Sequence, residues 1–345
     1  MSTIDQRLAD YCSAHHLTGV ILRRRSNMAW ASGGADFHCD TSSTFGVATL
    51  VWTPTRKVCL TDTIEAPRLR AEEPLIAHGW EIEAIDWWEA DRRIEDYLCN
   101  GAFESDVPED RLQGVRASLM PVEIERVRAL GRDAAEVVER LMRDDVKPGM
   151  TEYHLGGAVA GWLRDRGIFG HVVLVAADER IARYRHPIPT GKAIERCAMV
   201  AVCAQRHGLI VSLTRLVHFG AMSDDLRRRH EAVIEVDRAL HEATLPGAAW
   251  NVVLASGIAA YERTGFGEEW RLHHQGGPMG YEARDFKATP TETRQVQVDQ
   301  LVGWNPSITG TKSEDTLLVR AHGQEVVTRT GNWPEENGRP AILVR

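Results

Sequence analysis

The stretch PGMTEYHLGGAVAGWLRDRGIFG, beginning at Pro148, returns in altered form as PGAAWNVVLASGIAAYERTGFGE, beginning at Pro246. Each copy opens on Pro-Gly, continues as an apolar helical pattern and stops at a glycine. Gly149 and Gly167 are 18 positions apart, and so are Gly247 and Gly265. A long charged helical segment precedes each copy. The first runs from Pro121 to about Asp144, with Val122, Val127, Leu130, Ala134, Val137, Val138 and Leu141 at the spacing of one buried face. The second is SDDLRRRHEAVIEVDRALHEAT. Strand-like segments follow both. The order helix, helix, strands thus occurs twice, as in an internal duplication, the alternative being a chance match of two ordinary helical hairpins. Residues 120–345 are therefore expected to form one domain of two helix-helix-strand halves about a pseudo-twofold axis, with a ligand site between them.

The remaining chain alternates helical and strand patterns. GVILRR, MAWASG, GVATLVW and KVCLTD read as short strands, and residues 1–115 as a small α/β domain ending in the loop at 100–114. The fold class is thus α+β, a duplicated domain preceded by a smaller α/β one. AVCAQRHGLIVSLTR, residues 201–215, reads as a hairpin turning at Arg206-His207-Gly208. Thr151 suits the cap of the helix that follows it. Gly156, Gly157 and Gly161 lie inside that helical pattern, which points to close helix packing rather than a phosphate loop.

The 345 residues are 43% apolar and 26% charged, ordinary values for a globular chain. A net charge of −8 argues against a nucleic-acid partner. The six cysteines form no C-x-x-C pair and read as packed, reduced thiols of a cytoplasmic protein. No apolar run is long enough to span a membrane, and no secretory signal opens the chain. There is no G-x-S-x-G elbow, no G-x-G-x-x-G after a strand and no H-E-x-x-H. Two histidine positions, one from each half, remain as the chemistry-bearing candidates: His186 in ARYRHPIPTGK and His273-His274 in RLHHQGGPMGYEARD. Imidazole titrates near neutrality and suits proton transfer.

The motifs KPGMTE, RHPIPTGK, HGLIVSLTR, HHQGGPMGYE and GTKSEDTLLV, in this order, resemble the pita-bread fold of the creatinase, aminopeptidase P and methionine aminopeptidase superfamily. NMAWASGG and TDTIEAPRLRAEE resemble the smaller domain of its two-domain members. Metal-dependent members hold a metal pair with two aspartates, one histidine and two glutamates. Those positions fall here on Ala201, Ser212, His274, Asn305 and Glu314, so three of the five ligands are replaced. The resemblance then implies no metal pair and no cofactor, since such a pair needs anionic oxygens to offset its dehydration.

Creatinase is similar in working without metal, and His186 matches its acid–base histidine. The resemblance implies a hydrolase acting on a C–N bond, amide or amidine, of a small polar substrate bearing a carboxylate. His186, His274 and Glu314 are the expected catalytic residues. Asn305, Arg284, Tyr281, Trp304 and Thr214 are the expected substrate contacts. Two carboxylates that creatinase places around its guanidinium align with Thr214 and Asn305, so creatine itself does not fit. Arg185, by strand alternation, is expected to face away from His186. A homodimer, in which one small domain covers the partner's pocket, is a further implication. The alternatives are a C–N lyase, a metal-dependent Xaa-Pro aminopeptidase-like peptidase, or a non-catalytic pita-bread binding module.

Overall fold

The computed structural model describes residues 3–99 and 101–345. Met1, Ser2 and Asn100, the first residue of the expected boundary loop, lie outside the described residues, as does the Cys99 side chain. The chain divides into two compact units, Met1–Arg116 and Ala117–Arg345.

The first unit is built on a five-stranded sheet. Its elements are α1 (Thr3–His15), β1 (Gly19–Arg24), α2 (Arg25–Ala31), β2 (Phe45–Trp52), β3 (Lys57–Asp62), α3 (Ala66–Glu72), β4 (Glu81–Ile85), α4 (Ala90–Cys99), β5 (Phe103–Ser105) and α5 (Gln113–Arg116). The strand order is β4-β3-β2-β1-β5, with parallel pairs at both edges and antiparallel pairs between. MAWASG, expected as a strand, lies mostly in α2, where Met28, Ala29, Trp30 and Ala31 are all buried. A short run buried on every side carries no periodicity, so pattern alone does not separate helix from strand there.

The second unit comprises α6 (Pro121–Arg140), α7 (Glu152–Arg164), β6 (Phe169–Ala177), α8 (Glu179–Arg183), β7 (Cys197–Arg206), β8 (Leu209–His218), α9 (Asp224–Ala243), α10 (Trp250–Arg263), β9 (Gly276–Met279), β10 (Leu301–Trp304), β11 (Ser307–Ile308), β12 (Thr311–Lys312), β13 (Asp315–Val319), β14 (Gln324–Val326), β15 (Glu335–Glu336), β16 (Arg339–Pro340) and β17 (Leu343–Val344). A π-helical turn, Leu141–Asp145, prolongs α6. The turn between β7 and β8 uses His207 and Gly208, both at positive φ, the two-residue geometry that follows strand twist. Val122, assigned to the buried face of α6, is 54% exposed because it sits in the helix's first turn.

The duplication holds at the level of single hydrogen bonds. Gly149 and Gly247 donate to Ile194 and Val296, and Glu152 and Trp250 to Lys192 and Arg294. At the helix ends Ile168 and Phe266 donate to Leu163 and Tyr261. Gly149, Gly167, Gly247 and Gly265 all have positive φ, between 68° and 88°, which explains why glycine recurs at these corners. Of the three glycines in α7, only Gly156 meets a close neighbour: a Cβ there would lie 3.2 Å from Pro189, whereas Gly157 and Gly161 face open space.

Each half carries a four-stranded sheet, ordered β17-β8-β7-β6 and β14-β13-β10-β9. The sheets meet where β8 runs beside β13. The backbone N–H of Ser212 donates to the Thr316 hydroxyl (2.7 Å), which donates back to the Ser212 carbonyl (2.9 Å), and the Thr214 N–H donates to the Glu314 carbonyl. α9 and α10 close over the second sheet on a core that includes Val236, Leu240, Trp250, Tyr261, Val302 and Trp304. Among the described cysteines all are free, and Cys39 is exposed rather than packed. No described helix is long and apolar enough to cross a membrane.

Candidate active site

A cavity of about 160 Å³ opens in the second unit between its two halves. From the first half β6 supplies Val172 and Leu174, β7 supplies Ala201, Val202 and Cys203, and the segment after α8 supplies His186. From the second half come His274, Ala283, Arg284, Asn305, Lys312 and Glu314.

The His186 segment is tied down at both ends. The Glu152 carboxylate, at the start of α7, accepts from the backbone of Ala177 and from the Thr190 N–H and hydroxyl. Arg185 reaches the second half, where its guanidinium donates to Glu269 (2.6 Å) and Thr309 (3.1 Å). Residues 184–187 are not a strand, so the alternation argument for Arg185 does not apply; the side chain serves as an anchor.

Glu314 is the electrostatic centre. One oxygen accepts from the Thr214 hydroxyl (2.6 Å) and lies 2.8 Å from the Lys312 ammonium; the other faces the Arg284 guanidinium at 3.3 Å. Burial alone pushes this carboxyl up, but Lys312, Arg284 and the Thr214 hydrogen bond hold it down at about 2. It is therefore anionic throughout the physiological range. Arg284 lies flat over Gly303, where a Cβ would come within 2.6 Å of the guanidinium, so only glycine leaves it this position.

Three imidazoles converge opposite. His273 Nε2 lies 3.0 Å from His186 Nε2, and the His274 ring centroid is 4.5 Å from that of His273. Burial, reinforced by the nearby cations, pushes all three downward: His186 below its ordinary value, His274 to about 4 and His273 to about 2. At neutral pH they are uncharged, and of the two Nε2 atoms of His186 and His273 one donates its N–H to the lone pair of the other. Burial pushes the Cys203 thiol up to about 11, so it stays protonated.

His186, His274, Glu314, Asn305 and Arg284 thus come together around one cavity. Three expected contacts do not line it. Trp304 is fully buried, donates its indole N–H to Thr244 and packs on Trp250. Tyr281 donates its hydroxyl to Glu123 of α6 at 2.6 Å. Both belong to the packing behind the site. Thr214 acts on the cavity only through Glu314. Sequence reasoning misses Lys312 and Cys203, and gives His273, a candidate beside His274, no role of its own. Lys312 had a signal: two residues before Glu314, it falls on the same side of an extended chain.

The metal pair that the resemblance brings with it does not fit this donor set. Ala201 offers a methyl group, and Ser212, fully buried, points its hydroxyl at the Met279 sulfur (3.8 Å) rather than into the cavity. Asn305 is neutral. Both Glu314 oxygens are engaged by cations, which would repel further positive charge.

The prolidase from Pyrococcus horikoshii OT3 superposes with a TM-score of 0.79 at 16% identity, covering 95% of this chain and 99% of that one. The Xaa-Pro dipeptidase from Bacillus anthracis gives 0.78 at 17% identity, covering 99% of both. The N-terminal domain of FACT complex subunit SPT16 from Cicer arietinum gives 0.71 at 11% identity, over 95% of this chain and 96% of that one. At these identities the likeness shows a shared pita-bread fold. No curated protein matches the sequence. The profile of metallopeptidase family M24 matches residues 125–321, more than half of the chain and every cavity residue from either half. The chain belongs to metallopeptidase family M24, a family of hydrolases.

Proposed function

We propose that this protein hydrolyses a C–N bond, amide or amidine, in a small polar molecule carrying a carboxylate, by imidazole acid–base chemistry and without the metal pair of its family. The observation that carries the reading is the charge pattern of the cavity. Neutral His186 faces a carboxylate, Glu314, flanked by two cations, Lys312 and Arg284, where metal-dependent members need anionic ligands.

The excess positive charge favours an anionic substrate, whose carboxylate is drawn to Arg284 and Lys312. Neutral His186 takes a proton from a water molecule as its oxygen attacks the scissile carbon. The electron pair of the C=O or C=N bond moves onto its heteroatom. Asn305 points its carbonyl oxygen into buried space beside Gly276, which leaves its amide N–H to donate to that heteroatom. As the pair returns and the C–N bond breaks, His186 gives the proton to the leaving nitrogen. His274 and Glu314 position water and substrate. The prolidase and the Xaa-Pro dipeptidase that share the fold support a hydrolytic reaction at such a bond.

A screen of amidines, cyclic amides and N-acyl amino acids, read by mass spectrometry, identifies the substrate and separates hydrolysis from elimination by whether water is gained. His186→Ala is expected to lower turnover by roughly 10²-fold or more, the scale of a positioned acid–base group. Turnover should survive exhaustive chelation. Loss on chelation, restored by manganese or cobalt, would overturn the metal-free reading. The fold shared with the SPT16 domain supports a second reading, a binding module without turnover. That reading prevails if no compound is converted and a protein partner binds outside the cavity.

A further inference from the structure

We propose that His186, His273 and His274 form a binding site for a single divalent transition ion of the zinc type, different in composition from the carboxylate-rich pair of the family. One ring nitrogen from each residue lies within 4.8 Å of the other two. Two imidazole nitrogens bound to one tetrahedral zinc at about 2.0–2.1 Å stand about 3.3 Å apart. The His186–His273 pair already stands at 3.0 Å. The third nitrogen needs to move by no more than about 1.5 Å to complete that geometry. His186 is on the exposed side of the cluster and can swing, while His273 is 8% exposed and fixed.

Two further features point the same way. The Nδ1 atoms of His273 and His274 are buried without a hydrogen-bond partner, so these rings are not held apart by competing polar contacts. Three neutral imidazoles with no oxygen donor among them select a borderline ion such as zinc, nickel or cobalt over magnesium or calcium. Three protein ligands leave the fourth position open toward the cavity. The surrounding charges oppose any cation: Lys312, Lys287 and Arg284 act against it and only Glu314 for it. The site therefore exchanges its ion with solution rather than holding it as a structural centre.

An ion bound there occupies the nitrogen with which His186 accepts a proton. If the reaction proceeds as proposed above, zinc is an inhibitor and its removal restores turnover. The binding itself is read without turnover, so a failure of the hydrolase reading leaves the site standing.

The test is a calorimetric titration of metal-free protein with zinc chloride, paralleled by the visible spectrum of the cobalt-substituted protein. One ion per chain and the strong bands of a low-symmetry cobalt site are expected. His273→Gln and, at the exposed position, His186→Gln should each weaken binding by at least about tenfold, since even outer-sphere partners of a metal site carry that much. Circular dichroism identifies a variant that fails to fold, and the other variant then decides. Glu314→Gln, which removes a favourable charge but no ligand, should weaken binding less than either histidine variant. No uptake by the unmodified chain, uptake indifferent to both histidine variants, or uptake abolished only by Glu314→Gln would overturn the proposal.

Discussion

Replacing Glu314 by glutamine removes the anion that faces buried Lys312 and half-buried Arg284. In the folded protein this carboxyl is held at about 2 against an ordinary 4.5. At 1.36 kcal/mol per unit, that difference corresponds to about 3 kcal/mol of stability. An independent route gives the same scale: removing one partner of a buried ion pair costs roughly 3–5 kcal/mol, because the other charge is left uncompensated. The folded-state value is depressed, so the stabilisation is complete above about pH 4.5 and is lost as pH falls toward about 2. Urea unfolding of the unmodified protein and of Glu314→Gln, compared across pH, reads this directly. A gap of about 3 kcal/mol is expected near neutrality, narrowing below about pH 4.5. The buried histidines also erode stability in acid, because they protonate first in the unfolded chain; they do so in both proteins, and more in the variant, where the Glu314 charge no longer favours protonation of His186 and His273. Adding Lys312→Met to the glutamine variant should recover part of the loss. A variant as stable as its parent at neutral pH, or a gap that does not change with pH, would refute the reasoning.

Gly303→Ala should push the Arg284 guanidinium off its seat by about 1 Å, breaking its contact with Glu314; the affinity for a carboxylate ligand then falls by roughly tenfold, measured by calorimetry, and the urea midpoint falls by less than in Glu314→Gln, because Lys312 still faces the carboxylate. Tyr281→Phe should cost about 1–2 kcal/mol through its lost hydrogen bond to Glu123 while turnover is unchanged, since the ring lies behind the cavity; a fall in kcat would return Tyr281 to the site. The resemblance to two-domain creatinase-type proteins supports a homodimer, and a monomer by light scattering at micromolar concentration would remove it.

The duplication was legible because it rests on backbone demands: four helix corners at positive φ admit glycine and little else, so they recur at fixed spacing. The hairpin at residues 206–209 was legible for the same reason. Positions whose role depends on which way an extended chain faces were harder. Gly303 faces Arg284 and Asn305 the cavity, so alternation sends Trp304 into the core, a signal present in the sequence. His273 illustrates the opposite case. Alternation would turn it away from His274, but residues 272–275 are not a paired strand, and both rings reach His186. That placement comes from tertiary packing, which no local pattern encodes.

The burial of Ser212 has a consequence for how such a site can change over generations. Its hydroxyl packs against the Met279 sulfur and its backbone is bonded into β13 through Thr316, with no solvent near. Returning an aspartate to this position alone would bury a carboxylate with no metal to meet it, at a cost of several kcal/mol. Returning one at Ala201 alone would leave an unmatched acid without its partner ligands. A glutamate at Asn305 would compete with Glu314, and with any bound carboxylate, for Lys312 and Arg284. None of these single substitutions completes the ligand set, and the one at Ser212 lowers stability as well. A carboxylate-rich metal pair at this cavity therefore requires several substitutions together.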